Sequence, residues 1–260
     1  MRYLALFSTL LLFGHAGAQT VAKSDREWTS EGSYTAYASP WCAFQDTSLV
    51  PGRDYVNTVS YRSGDLAHAK NIRFSWRWPE PARRKCGVYG FNSVAWGNYD
   101  GGGVRAPVAP MQVSAIAEFT VAYDMAFAAD SDTFNGLGEF YLTKVSGAAD
   151  QKAIEIGCFW NAPPATVSWA AAGKQIGAFR DRYGRNWTVA ASEPGGGFVT
   201  FIPAGNKLTK GTFDAKGPIE FLRRAGLVED GWWFNGIALG VEPLGGSGTA
   251  VVRKFQITLK

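Results

Sequence analysis

Asn135-Gly-Leu-Gly-Glu139-Phe-Tyr-Leu-Thr-Lys144 is a glycine-rich turn that runs into a short alternating strand. On a strand, successive side chains point to opposite faces. Glu139, Tyr141 and Thr143 therefore share one face, and Phe140 and Leu142 share the other. The Phe/Leu face reads as core. The opposite face tolerates a charge and hydroxyls, so it reads as the floor of something open. Taken alone, one carboxylate on a strand is more often a solvated residue than a functional one. The rest of the chain shifts that balance.

Upstream, Glu118-Phe-Thr-Val-Ala-Tyr-Asp-Met-Ala-Phe127 is the clearest strand. Phe119, Val121, Tyr123, Met125 and Phe127 face one way; Thr120, Ala122 and Asp124 face the other. The residues from Ala129 to Gly138 have hairpin chemistry. If the two strands pair, Asp124 lies beside Glu139, and adjacent carboxyls share a proton or a hydrogen bond and have their pKa values pushed apart. Downstream, Trp232-Trp-Phe-Asn-Gly-Ile-Ala-Leu-Gly-Val-Glu242 puts Gly236, Ala238, Gly240 and Glu242 on one strand face. Small residues there suggest an open trough ending at a carboxylate; the alternative is a glycine-rich edge strand with an exposed glutamate.

The remaining segments read as short strands and turns. Arg73-Phe-Ser-Trp-Arg-Trp78 alternates strictly, as a half-exposed antiparallel strand does. Its Trp76 and Trp78 are either core or a platform for a flat ligand. Further strands are expected around Val167-Ser-Trp169, 186–190, 198–202 and 251–259. One helix is expected from near Asp214, with Pro218 in its first turn, an apolar stripe of Ile219, Leu222 and Ala225, and Gly226 as its C-terminal cap. No repeat or long linker divides the chain. The pattern predicts one all-β domain of two packed antiparallel sheets with a single short helix.

Composition narrows the function classes. Residues 1–18 carry Arg2, a short apolar run and Ala16-Gly-Ala18, the pattern of a cleaved secretory leader. The expected outcome is cleavage before Gln19 and export, leaving a single domain over 19–260. No other stretch is long and apolar enough for a membrane span. Net charge is +4, with no basic cluster interleaved with aromatics, so nucleic acid is not an expected partner. Among the three cysteines, Cys42–Cys86 is the preferred disulfide and Cys158 reads as a buried thiol. Once the leader is removed, His68 is the one histidine left, which excludes a multi-histidine metal site and argues against a Ser-His-Asp triad. No metal or other cofactor is expected, and chemistry falls to carboxylates. Ten tryptophans in an exported β-protein suit either a large core or sugar binding.

Three stretches together resemble glycoside hydrolase family 12, retaining endo-glucanases with a β-jelly-roll fold. They are Tyr123-Asp124, Glu139-Phe-Tyr-Leu-Thr143 and Gly240-Val-Glu-Pro-Leu-Gly-Gly-Ser-Gly248, with the helix before the last motif and Val94-Ala-Trp-Gly97 in supporting positions. The resemblance implies that Glu139 is the nucleophile, Glu242 the general acid/base, and Asp124 a hydrogen-bond partner of the nucleophile. It implies endo-cleavage of β-1,4-glucosidic bonds in cellulose, mixed-linkage glucan or xyloglucan, with retention. Tyr141 and Thr143 stand where the family has Met and Trp, which alters the floor of the cleft. Tyr141, Trp96, Trp76, Trp78 and Phe44 are candidate sugar contacts. A monomer is expected. Two other classes stay open: a non-catalytic glycan-binding jelly roll, and a polysaccharide lyase. The lyase would need a Tyr/His centre, and no such cluster surrounds His68.

Overall fold

The computed structural model describes residues 19–22, 29–80, 85–100, 108–130, 132–148, 150–192, 197–205 and 208–260. The expected leader, residues 1–18, lies outside them. Alternation along the chain becomes strand after strand. In chain order these are β1 (Gln19–Ala22), β2 (Thr29–Glu31), β3 (Tyr34–Ser39), β4 (Val56–Arg62), β5 (Ile72–Trp78), β6 (Phe91–Gly97), β7 (Met111–Gln112) and β8 (Phe119–Ala128). They continue as β9 (Phe134–Thr143), β10 (Lys152–Asn161), β11 (Lys174–Arg180), β12 (Asn186–Ala191), β13 (Phe198–Pro203), β14 (Lys210–Asp214), β15 (Trp233–Pro243) and β16 (Gly246–Leu259). One sheet has six strands in the order β1-β4-β5-β16-β8-β14. The other has ten, in the order β11-β12-β13-β10-β9-β15-β6-β3-β2, with β7 added on β15. The two pack as the jelly-roll sandwich that the sequence predicts. Pairing is antiparallel except between β10 and β13, which run parallel.

The core lies between the sheets. The six-stranded sheet contributes Phe74, Trp76 and Trp78 from β5 and Phe119, Val121, Tyr123 and Met125 from β8, all buried. The ten-stranded sheet answers with Phe140 and Leu142 from β9 and Phe234 from β15. Phe119 bridges the two, with ring centroids 5.7 Å from Phe140 and 4.6 Å from Phe234. Burying each such ring stabilises the sandwich by about 1.5–3 kcal/mol.

Three α-helices occur among the described residues, where the sequence predicts one: α1 (Trp41–Gln45), α2 (Pro164–Ala172) and α3 (Lys216–Arg224). The expected helix is α3. It closes with Gly226 at φ +71°, whose N–H donates to Arg223 O while the Leu227 N–H donates to Leu222 O. These two bonds form a Schellman cap, which needs a residue that accepts a left-handed backbone. The segment Val167-Ser-Trp169 is helical rather than a strand. Pro164 opens α2 in its first turn, where its fixed φ and missing N–H suit a helix start. Val167 and Trp169 both lie exposed on it. The Cys42–Cys86 disulfide forms, joining α1 to the segment before β6, and Cys158 is a buried free thiol, as expected. Among the described residues no helix is long and apolar enough to cross a membrane.

Candidate active site

Near the middle of the ten-stranded sheet, β9 runs antiparallel to both neighbours, β10 and β15. The register sets Glu139 opposite Ala238 on β15 and opposite Gly157 on β10. Glu242 faces Asn135, and Glu155 faces Tyr141. Residues directly opposite in a sheet share a face. Asn135, Glu139, Tyr141, Glu155 and Glu242 therefore project from the same side, away from the inter-sheet core. Glu139 and Glu242 are offset by four residues along adjacent strands, roughly 13 Å at the backbone. Both side chains line a cleft of ≈ 520 Å³, shared with Tyr37, Trp41, Tyr99, Tyr141 and Glu155. A contiguous space of ≈ 460 Å³ continues past Trp41, Glu155 and Glu242 to Trp169 and Phe198. Glu155 and Glu242 sit where the two spaces meet.

The surroundings of Glu139 follow from two glycines. Gly97 ends β6 at φ +77°. A Cβ on Gly236 would meet Trp96 O at 2.5 Å and Tyr99 N at 2.8 Å. The chain leaving β6 thus folds directly over β15, pinned by Asn98 N–H donating to Asn235 O at 2.9 Å. This drops Tyr99 onto Glu139, and its hydroxyl donates to Glu139 Oε1. The Tyr141 hydroxyl donates to the same oxygen at 3.0 Å. The expected open trough along Gly236 and Gly240 is therefore filled by the chain itself; at Gly240 a Cβ would strike the Asn92 carbonyl and the Phe91 ring.

Glu139 is only 4% exposed. Burial pushes its pKa up, opposed by hydrogen bonds from Tyr99, Glu155 and Tyr141 and by the charge of Lys152. Burial pushes Glu242 up to about 8, helped by the charge on Glu139 and opposed by the Asn135 amide. Burial, then the charge of Glu139, push Glu155 up to about 9. Three carboxyls in one cleft thus divide the work. Glu139, with the donors, is the one placed to carry the negative charge; Glu155 and Glu242 hold protons near neutral pH. Lys152 packs over the Tyr141 ring at 3.6 Å and pairs with Asp100 at 2.6 Å.

Several expected positions move. Asp124 is not beside Glu139: β8 and β9 belong to different sheets, so they do not form the two arms of a hairpin. Tyr123 takes the core side, which turns Asp124 to the outer face, 4.0 Å from Arg253. Trp76 and Trp78 are core, 3% exposed each. Trp78 is stacked between Tyr55 and Tyr89 at 4.2 and 4.7 Å, and Trp76 lies 5.4 Å from Phe134. Trp96 packs on Phe234 on the core side of β6. Phe44 is exposed on α1 and does not line the cleft, whereas Trp41 of the same helix does. Tyr141 is in the cleft as expected. Thr143 shares its face but is fully buried, accepting from Asn235 Nδ2 at 2.9 Å. The residues that the sequence reading missed are Glu155, Tyr99, Asn135, Trp41 and Trp169. Glu155 could have been found from Ala153-Ile-Glu-Ile-Gly157, a carboxylate among apolar strand residues like Glu139. Among the described residues, no three His, Cys, Asp or Glu side chains group to hold a metal.

Fold and site together define a β-jelly roll with a carboxylate-lined cleft on its ten-stranded sheet. The same fold occurs in a family 12 xyloglucanase from Bacillus licheniformis, at TM-score 0.71 and 18% identity over 94% of this chain and 100% of that one. It occurs in endoglucanase 3 of family 12 from Trichoderma harzianum, at TM-score 0.71 and 14% identity over 93% and 98%. The catalytic domain of Humicola grisea Cel12A, solved with a soaked thio cellotetraose, matches at TM-score 0.71 and 13% identity over 93% and 99%. No family profile matches the chain, and no curated protein matches it in sequence. The chain has the fold of the family 12 glycoside hydrolases.

Proposed function

We propose that this protein is a retaining endo-β-1,4-glucanase of the family 12 type, with Glu139 as nucleophile and Glu242 as general acid/base. One observation carries the reading. Glu139 and Glu242 lie on adjacent strands, on one face and in one cleft, and their surroundings set them apart: one has hydrogen-bond donors for a negative charge, the other is held protonated. Retaining glycosidases need that pair, one carboxylate to attack and one acid to protonate the leaving oxygen.

In the first step a Glu139 oxygen attacks the anomeric carbon. The glycosidic C–O bond breaks as Glu242 gives its proton to the departing 4-hydroxyl, leaving a covalent glycosyl-enzyme. In the second step Glu242, now a carboxylate, takes a proton from water. The water oxygen attacks the same carbon, the ester bond breaks, and Glu139 returns as a carboxylate. Two inversions give net retention. Tyr99 and Tyr141 stabilise Glu139 whenever it carries charge, before attack and after release.

A cleft continuing from Tyr37 past the carboxyls to Trp169 suits internal sites of a polymer. Trp41 and Trp169 are the flat rings on offer, so a β-glucan such as cellulose, mixed-linkage glucan or xyloglucan is the proposed substrate. The leader pattern of residues 1–18 supports action outside the cytoplasm. The test is reducing-sugar release from carboxymethyl-cellulose, barley β-glucan and tamarind xyloglucan by wild type, Glu139→Gln and Glu242→Gln. Activity on one polymer, falling by several orders of magnitude in both variants, is expected. Retarded migration in gels containing these glucans without any hydrolysis would instead make the protein a glycan-binding jelly roll.

A further inference from the structure

Asp124, the residue that the family likeness would set against the nucleophile, faces solvent on the other sheet. A different carboxyl occupies that place. Glu155 stands on β10 opposite Tyr141, which puts it diagonal to Glu139 on the same face of the sheet. At that spacing two long side chains meet. Both side chains line the same cleft, and the charge of Glu139 pushes the Glu155 pKa up. Two carboxyls that meet can share a hydrogen bond only if one of them holds a proton.

We propose that Glu155 is the positioning residue for Glu139: as a neutral carboxylic acid it donates a hydrogen bond that orients the Glu139 carboxylate and stabilises its charge. The assignment rests on the reading of Glu139 as nucleophile. The groups that face this pair are Tyr141 from β9, Lys152 from β10, Glu242 from β15, and Tyr99 and Asp100 from the segment after β6. They decide which carboxyl keeps the proton. Glu139 already accepts from Tyr99 and Tyr141, whereas no such pair of donors reaches Glu155 among the described residues. The Lys152 ammonium is engaged by Asp100 at 2.6 Å. Glu242 adds repulsion to any charge on Glu155 when it is itself ionised, as it is after it has given up its proton. The two tyrosine donors therefore favour the charge on Glu139 and burial favours the proton on Glu155, against the Lys152 charge, which favours ionisation of both. Once Glu139 is esterified to a sugar its charge is gone and Glu155 has no anion to serve; the bond favours the free carboxylate and so helps its departure in the second step.

The experiment compares wild type, Glu155→Gln and Glu155→Ala by carbon-13 NMR titration of the Glu139 carboxyl and by the pH profile of kcat/KM on the glucan hydrolysed best. Gln keeps a neutral donor, so its activity should stay within ~3-fold and its acidic limb should not move. Ala removes the donor. The Glu139 titration and the acidic limb should then both move up by ~0.5–1 pH unit, with kcat/KM down ~10-fold or more. If Glu155→Ala does not fold, Glu155→Met, of similar length and without a donor, takes its place. An unmoved Glu139 titration without the donor overturns the proposal. Glu155→Gln as inactive as Glu139→Gln also overturns it, since Glu155 would then take part in the chemistry itself. Should wild type hydrolyse no glucan, the functional reading fails while the NMR titration still decides whether Glu155 tunes Glu139.

Discussion

Asn135 and Glu242 stand opposite one another on β9 and β15, and the Asn135 amide donates from Nδ2 to Glu242 Oε2 at 3.0 Å. Asn135 Oδ1 accepts from Thr166 Oγ1 at 2.5 Å, so α2 fixes which end of the amide faces the glutamate. A donor to a carboxylate favours its ionised form. This bond therefore opposes the burial that pushes Glu242 up to about 8. In the free enzyme, kcat/KM should fall as pH rises through that value, because Glu242 loses the proton it must donate. Asn135→Ala should carry this alkaline limb to higher pH by ~0.5–1 unit, and Thr166→Val in the same direction by less. A pH–rate profile of the three proteins checks it. A limb that stays put or moves down would show that the amide does not set the acidity of Glu242.

The buried carboxyls also predict how stability depends on pH. Glu155 and Glu242 go from an ordinary value of 4.5 to about 9 and about 8 on folding. Between these limits the folded chain holds protons that the unfolded chain releases, so stability falls as pH rises. Their contribution is complete below about pH 4.5 and is lost as pH climbs through 8 to 9. Thermal unfolding should occur at a higher temperature at pH 5 than at pH 8. Glu155→Gln removes one of the two groups. It should flatten the dependence and raise the midpoint at pH 8 by about 2–4 °C. Calorimetry at the two pH values settles the sign; a variant less stable than wild type at pH 8 would contradict it.

Gly236 is where the fold builds the site. The backbone of Trp96 to Tyr99 lies against it closely enough that a methyl group would meet Trp96 O at 2.5 Å. Backbone cannot rotate aside as a side chain does. Gly236→Ala should therefore cost ~1–3 kcal/mol of stability. It should also lift Tyr99 away from Glu139, reducing kcat at temperatures where the variant remains folded. Gly226→Ala, at a helix cap far from the cleft, supplies the control: stability should drop through its φ of +71° while kcat is kept. Urea denaturation and steady-state kinetics on both variants separate the two effects.

The strand faces were legible because the side-chain period of two is local. Phe140 and Leu142 in the core, Glu139 and Tyr141 in the cleft, and the β8 stripe of Phe119 to Met125 all follow from alternation alone. The motif around Glu242 was legible through family likeness. Which strands neighbour one another was not, because pairing is a long-range matter: β9 lies beside β10 and β15, while β8 belongs to the opposite sheet. Asp124 was misplaced for that reason, and Glu155 was overlooked for the same one. The turn-like residues 129–138 suggested a hairpin, but a crossover between two sheets needs turn chemistry just as much. Strand alternation also could not say whether a tryptophan stripe faces the core or the cleft, and α2 was missed because Pro163-Pro164 reads equally well as loop or as a helix start.

The tryptophans give the last prediction. Trp169 is 47% exposed on α2, with its ring 6.1 Å from Phe198, in the part of the cleft beyond Glu242. An exposed indole beside a second ring offers a flat apolar surface to a pyranose at little cost to the fold. Trp78 has equal size but lies sealed between Tyr55 and Tyr89. The two should therefore respond in opposite ways. Trp169→Ala should raise KM for polymer ~5–10-fold with kcat largely kept, since one stacking contact contributes about 0.5–1.5 kcal/mol. Its unfolding midpoint should stay close to wild type. Trp78→Ala should lower stability by ~3–5 kcal/mol through the cavity it leaves. If Trp169→Ala instead leaves KM unchanged on every glucan that the protein hydrolyses, the substrate chain does not pass over α2, and the binding path must run toward Tyr37 and Phe91 on the other side of Glu242.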